Sequence, residues 1–482
     1  MKSYFLVLDQ GTSSTKSFLF NMNGEVCHSE KIKHRLSCPK PLFVECDASV
    51  IAEAIFNLIM SSVQTVKREK GIITAAGLAV QRSTFLFWDK ETLIPKTPAL
   101  SWQDNRANYL VEKYNEYKHL VYTKTGAPLS GHFGALKYIH LMKEYPSLEK
   151  DVHSGDLYFG PLSSYLTHAL TGSATIDHSI AGRSQLYSLE SITWNQKLCN
   201  LFNVSSLCLP PLVPTIHNFG KINVDNYSIP LNCVVGDQQA ALIGQEFSQL
   251  EQAAINLGTS GSVQLCTGNN PLIIEGLISS LLWSSDHENQ FFIEGTINAG
   301  NSLFYWLEDY LNISHMDMNW EERCVKSKTD GVLIPGFTGI ASPYWIQQKE
   351  SFFYNLDGAS KDSIIRAGME SIGLLIHDII FILKENNYKI KSVHMGGGGA
   401  REPLLQFIAD ILNVPVIMSS EKDKTARGIF RLLFKNHFRE FPKIGLSGQK
   451  EYFPKMSENN RQKKLGLWNS ALLEAGIKNK LR

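Results

Sequence analysis

The chain has 482 residues, about three times the ~150 typical of one domain, so two domains are the first expectation. Apolar residues make up 43% and charged residues 19%, a globular composition that excludes wholesale disorder. Lys+Arg 47 against Asp+Glu 46 leaves a net charge of +1, which supplies no basic field for nucleic acid or for an anionic membrane. The apolar run Tyr4–Leu8 reads as a strand ended by Asp9; with no small-residue cleavage site beside it, it is not a signal peptide. Asp9 to Lys16 is a polar turn, Ser17–Phe20 returns as a second strand, and Asn23-Gly24 marks another turn. Asp47 is placed to cap a helix through Val66, with Ile51, Ile55, Leu58, Ile59 and Val66 on one face and Gly71 past its end. Ala76–Val80 reads as a short buried strand. Further on, a helix over Ser363 to about Lys384 precedes a strand Ile390–His394. Four glycines, a helix Arg401–Leu412 and a strand Val414–Met418 follow. Strands alternating with helices of this length predict an α/β architecture. No apolar run approaches the ~18 residues needed to cross a bilayer, so no spanning helix is expected. The eight cysteines form no C-x-x-C pair, which fits reduced thiols in a cytoplasmic setting better than a disulfide framework or a zinc site. The basic run Arg461–Lys464 reads as solvated surface or helix.

One near-repeat organises the rest. Leu8-Asp9-Gln10-Gly11-Thr12-Ser13-Ser14 recurs half a chain later as Ile255-Asn256-Leu257-Gly258-Thr259-Ser260-Gly261. Two such turns suggest two related domains that each point one turn at a shared cleft, although a Gly-Thr-Ser turn is also common by chance. Small hydroxyl and glycine turns expose consecutive backbone N–H groups that bind phosphate oxygens. Asp9 fits a hydrated Mg²⁺, which takes one or two carboxylates with water, and fits a turn cap equally well. Lys16 adds a point charge, and no Walker motif occurs. Gly396–Gly399 with Ala400 joins a strand directly to a helix, where glycine allows close ligand approach and a helix start favours anions. Asp237, after Val234-Val235 and before a helix start, suits either a cap or a general base. Trp102-Gln103-Asp104-Asn105-Arg106 and Gln81-Arg82 suit a polyhydroxyl ligand or a buried ion network.

Taken together and in order, these segments resemble the FGGY family of carbohydrate and polyol kinases, and within it the glycerol kinases. Leu8–Lys16 resembles the family's first phosphate turn, and Gln81–Thr84 with Trp88-Asp89 and Trp102–Arg106 its acceptor segments. Gly236–Gln239 resembles the catalytic-acid segment and Leu257–Thr259 the second phosphate turn. Glu294-Gly295, Ala299-Gly300, Phe337-Thr338-Gly339, Pro343–Trp345, Arg366-Ala367, the four glycines, Thr425–Gly428 and Phe453–Met456 continue the match over nearly the whole chain. The resemblance implies an actin-like, ribonuclease-H-like α/β fold, with domains at 1–244 and 245–482 around a cleft, and dimers are common in the family. It implies ATP with Mg²⁺ held by Asp9, Gly11, Thr12, Ser13, Lys16, Gly258, Thr259, Gly397, Gly398 and Ala400. It also implies a small polyol or sugar acceptor near Arg82, Ser83, Trp102, Asp104, His132 and Gln238, with Asp237 as the base.

The departures fall in the acceptor pocket. Ser83 stands where glycerol kinases usually carry Glu, and His132 where they carry Tyr. His140, Ile346 and Met395 also differ from the family pattern, and Ala299–Trp306 is one residue longer. These changes bear on which acceptor is used. A ketose kinase such as one for a pentulose would keep the same catalytic residues. A non-catalytic nucleotide-binding regulator would have no need of Asp9, Thr12, Asp237 and Thr259 together.

Overall fold

The computed structural model describes residues 2–245, 251–337, 339–346, 350–419, 422–443 and 448–477; Thr338 of the Phe337–Gly339 segment lies outside them. Its N-terminal half is built on a six-stranded sheet. Strand Ser3–Gln10 runs antiparallel to Ser14–Asn21, which pairs with Val26–Lys33, and parallel to Ile72–Val80, which lies beside Tyr227–Gly236. The second half repeats this order. Strand Gln252–Leu257 runs antiparallel to Gly261–Gly268, which pairs with Asn289–Ile297, and parallel to Ser392–Gly396, which lies beside Val416–Ser419. Lys221–Val224, Ile278–Ser284 and Gln449–Tyr452 extend the edges.

The period-2 alternation of a strand sends neighbouring side chains to opposite faces. In Ser3–Gln10 this puts Tyr4, Leu6 and Leu8 in one core and Phe5 and Val7 in another. The first core is closed by helix Ala48–Arg68. Its start is fixed by Asp47, whose carboxylate accepts from the N–H groups of Ser49 (2.9 Å) and Val50 (3.2 Å). Ile51, Ile55, Ile59, Val63 and Val66 fall on its buried face. By length and composition alone this helix is long and apolar enough to cross a membrane, though no unbroken apolar run in the sequence marked it. Its apolar face instead packs against the sheet, each such side chain contributing about 1.5–3 kcal/mol by burial.

The second core lies between the two sheets and is shared by both halves. Helices Asp237–Gly244 and Lys424–Phe438 run through it, bringing Ala240, Leu242, Ile429 and Phe430 against Phe5 and Val7 on one side and Ala254, Cys266 and Phe292 on the other. The two helices meet at glycines: a Cβ on Gly244 would collide with the Lys424 carbonyl, and one on Gly428 with the Ala240 carbonyl. Beyond the second sheet, helices Lys361–Glu385 and Glu402–Leu412 close a third core with Ala253, Ile255 and Leu257.

The helix bounds agree with the sequence reading to within a few residues. The strand expected at Ile390–His394 is found at Ser392–Gly396, so it runs directly into the glycine turn. The run Arg461–Lys464 is helical, within Glu458–Glu474. It is not all solvated, because Lys464 reaches the buried Glu370 carboxylate at 2.6 Å. All eight cysteines are free.

Candidate active site

The near-repeated turns stand at equivalent places, each between the central strand of its sheet and the antiparallel return. In the first, Gly11 N–H donates to Ser14 O (3.0 Å) and His34 N–H to Ser13 O (3.1 Å). The Thr12 hydroxyl accepts from the Trp102 indole at 2.9 Å, which ties this turn to the loop of the expected acceptor pocket. In the second turn, Gly258 N–H donates to Ser260 O (2.8 Å). Its carbonyls are held from outside. Gly300 and Ser302 N–H reach Thr259 O, Asn301 N–H reaches Gly258 O, and Gly399 N–H reaches Leu257 O. The start of helix Ser302–Leu311 and the four-glycine segment are thereby gathered onto Gly258 and Thr259. Gly397 has φ 93° and no room for a Cβ, which would collide with Leu257 O, whereas a Cβ on Gly398 would meet nothing within 4 Å. Gly397, Gly398 and Ala400 therefore lie beside the second turn, as expected.

Asp9 ends the central strand. Burial, and then the nearby Asp237 carboxylate, push its carboxyl up to about 7, against the pull of Lys16. Asp237 is likewise pushed up by burial, with Arg82 opposing. Among the described residues no side-chain or backbone donor bonds the Asp9 carboxylate, and no group of three His, Cys, Asp or Glu forms a metal cage. A half-buried, unbonded carboxylate beside a second one fits a hydrated Mg²⁺ that keeps most of its waters. Lys16 is engaged elsewhere: its ammonium pairs with Asp423 at 2.6 Å, joining the first return strand to the residue before helix Lys424–Phe438.

Asp237 is not the cap of its helix. The cap is Gly236, and Asp237 opens the first turn with Oδ1 accepting from Gln238 N–H at 2.8 Å. The cap reading is thus corrected and the carboxylate is left facing Arg82, whose Nε lies 3.8 Å away. Arg82 forks onto Glu294 of the second sheet, Nη1 to Oε2 at 3.0 Å and Nη2 to Oε1 at 2.9 Å. Arg183 holds the same carboxylate at 2.6 Å. Although burial opposes ionisation, the two guanidinium groups bring Glu294 down to about 2. Arg183 was missed by sequence reasoning and Glu294 was noted only within a segment. Neither has a local pattern, since Glu294 and Arg82 are 212 residues apart.

One further expectation changes. Asp104 is fully buried, and its oxygens are taken by Val44 N–H (2.7 Å), Arg106 N–H (3.1 Å) and the Arg106 guanidinium (2.8 Å); it anchors its loop and is not open to an acceptor. Ser83 is also buried and sits at φ 60°, with its carbonyl bonded to Lys137. His132 packs edge-on against Trp102 (centroids 6.3 Å) and Phe133 (4.9 Å). Burial, with Lys137, Arg183 and Arg82 nearby, brings its imidazole down to about 3, so it is neutral at physiological pH.

The comparisons with known proteins define the class. Residues 4–244 match the N-terminal domain of the FGGY family of carbohydrate kinases and residues 253–435 its C-terminal domain, so the chain belongs to that family. It is an ATP-dependent carbohydrate or polyol kinase with the family's actin-like two-domain fold. Among its relatives is a glycerol kinase of Acinetobacter baylyi, 30% identical over 98% of this chain and 99% of that one. A glycerol kinase of Bacillus licheniformis is 29% identical over the same shares. Among solved structures, Plasmodium falciparum glycerol kinase with ADP superposes with a TM-score of 0.89 at 25% identity, over 99% of each chain. A gluconate kinase of Lactobacillus acidophilus superposes at 0.88 and 20% identity, over 100% of this chain and 98% of that one, and shows the fold alone.

Proposed function

We propose that the chain transfers the γ-phosphoryl group of ATP to a hydroxyl of glycerol or a similar small polyol. The observation that carries this reading is the meeting of Asp237 with Asp9 and Arg82 beside the first turn, with Trp102 bonded to Thr12. Phosphoryl transfer asks little covalent chemistry of the protein; positioning and charge stabilisation do most of the work. Asp237 accepts the proton of the attacking hydroxyl. Its place beside Arg82 keeps the half-buried carboxylate oriented, since Arg82 is itself held by Glu294. Arg82, Ser83, Trp102, His132 and Gln238 line the acceptor, and neutral His132, which donates one ring N–H to the Trp102 backbone, offers its other ring nitrogen as an acceptor to a polyol. Backbone N–H groups of Thr12, Ser13, Thr259, Gly397 and Gly398 hold the phosphates, while the N–H groups of Gly11, Gly258 and Ala400 close the turns that present them. Asp9 holds Mg²⁺ through water, and when bound this ion neutralises charge on the phosphate oxygens. The division at 1–244 and 245–482 assigns the acceptor to the first half and most of the nucleotide to the second.

A second reading, a kinase for a ketose or sugar acid, is favoured by Ser83, because a serine in place of a glutamate leaves space for a longer acceptor. The test is ADP release with MgATP against glycerol, erythritol, ribitol, xylulose, ribulose and gluconate, with an acceptor-free control. Acceptor-dependent release with glycerol or another polyol supports the first reading. Release confined to ketoses or gluconate replaces it with the second, and release indifferent to every acceptor overturns both.

A further inference from the structure

Helix Gly134–Glu144 carries one residue that an apolar core does not explain. Lys137 is fully buried, between Leu136 and Tyr138. Burying an ammonium is costly unless each of its three N–H groups finds an acceptor. Lys137 finds three, all backbone carbonyls: Ser83 O at 2.6 Å, Ser101 O at 2.7 Å and Leu100 O at 3.3 Å. These carbonyls belong to two stretches that pack side by side but are far apart in the chain. One follows strand Ile72–Val80 and carries Arg82 and Ser83. The other follows Ala99-Leu100 and carries Trp102, which bonds Thr12 of the first turn. The same helix begins directly after His132 and Phe133.

We propose that Lys137 is a positioning residue for the acceptor: its ammonium ties the Arg82–Ser83 loop to the Trp102 loop and so sets the width of the acceptor pocket. This rests on the pocket assignment made above. It explains why a lysine, and not a methionine of similar length, occupies this core position. A thioether would fill the space but remove the ammonium's bonds to all three carbonyls, leaving Ser101 O with only the Asp104 N–H. Arginine would keep the charge, yet a planar fork cannot aim three N–H groups at three converging carbonyls. Among the described residues no hydrogen bond joins Lys137 to either nucleotide turn, so the effect should divide between substrates.

In Lys137→Met the KM for the acceptor should rise roughly ten- to a hundredfold, the scale of an ångström-sized misplacement, with the KM for ATP within about twofold of wild type. Acceptor-free ADP release should be unchanged. Should Lys137→Met lose the wild-type melting transition, Lys137→Arg gives the same reading with the charge retained. The unaltered enzyme gives a third. Burial brings the Lys137 ammonium down to about 7, with Asp104 and Cys46 favouring the charge, Arg106 opposing it and His132 beside it neutral. The clamp therefore loses a donor as pH rises, and acceptor KM should climb between about pH 6 and 9 while ATP KM does not. Equal rises in both KM values, or no rise in either, would overturn the clamp alone. Absence of wild-type turnover with every acceptor would overturn the proposed function and the clamp with it.

Discussion

The two halves of this kinase have the same sheet order and the same strand–turn–strand at its centre, yet their turns are held differently. The first turn closes on itself through Gly11 and Ser14, and a side-chain link from it, Thr12 to Trp102, leads into the acceptor loops. The second is gripped from two sides, by the start of helix Ser302–Leu311 and by the four-glycine segment. A repeated fold has thus been fitted to two tasks. In the proposed function, one half gives its loops to the acceptor pocket and the other its backbone to the nucleotide. Glu294 links them, reaching from the second sheet to the arginines of the first.

The comparison breaks most sharply at Asp237. Asp237→Asn should lower kcat by about 10²–10⁴-fold with the melting transition intact, since removal of a positioned base costs on that scale. Near-wild-type turnover measured by ADP release would leave Asp237 no more than a first-turn residue of its helix.

Glu294→Gln should act on stability across both halves. It leaves Arg183 buried without its counter-charge and Arg82 with only Asp237 at 3.8 Å, at a cost of about 3–5 kcal/mol in urea unfolding. The sign with pH follows from the depressed carboxyl: the pair's stabilisation is present above the usual glutamate range and is lost as pH falls toward about 2. The variant should therefore lose less stability than wild type on acidification between those limits; parallel losses would sink the idea.

Two neighbouring glycines separate backbone fit from ligand contact on the nucleotide side. Gly397→Ala should destabilise by more than about 1 kcal/mol, because φ 93° suits only glycine and Leu257 O lies in the way. Gly398→Ala has open space around its new methyl, so melting should be unchanged while ATP KM rises several-fold. If calorimetry showed ATP indifferent to both, the glycine segment would not face the nucleotide.

The smallest effect sharpens the acceptor side. Ser83→Glu should raise kcat/KM for glycerol roughly tenfold, the worth of one charged hydrogen bond, and lower it for longer acceptors. Unchanged values for every acceptor would show that position 83 does not meet the substrate.

Local chemistry made much of this protein legible in its sequence. Alternation and turn residues located the central strands, Asp47 announced its helix, and the recurrence of Gly-Thr-Ser after an apolar strand pointed to two related halves before any sheet was seen. These signals lie within a few residues of one another, where periodicity and capping operate. Tertiary structure alone decided which charges meet. Arg82 is bound by a carboxylate 212 residues away, and Lys16 by one 407 residues away. Asp104, read as open to the acceptor, is consumed by Arg106 two residues on and by Val44 N–H, and Lys137 is recruited to carbonyls that no side-chain pattern records. Long-range pairing depends on where folded strands bring their ends, and a buried polar atom takes whichever partner the packing sets beside it.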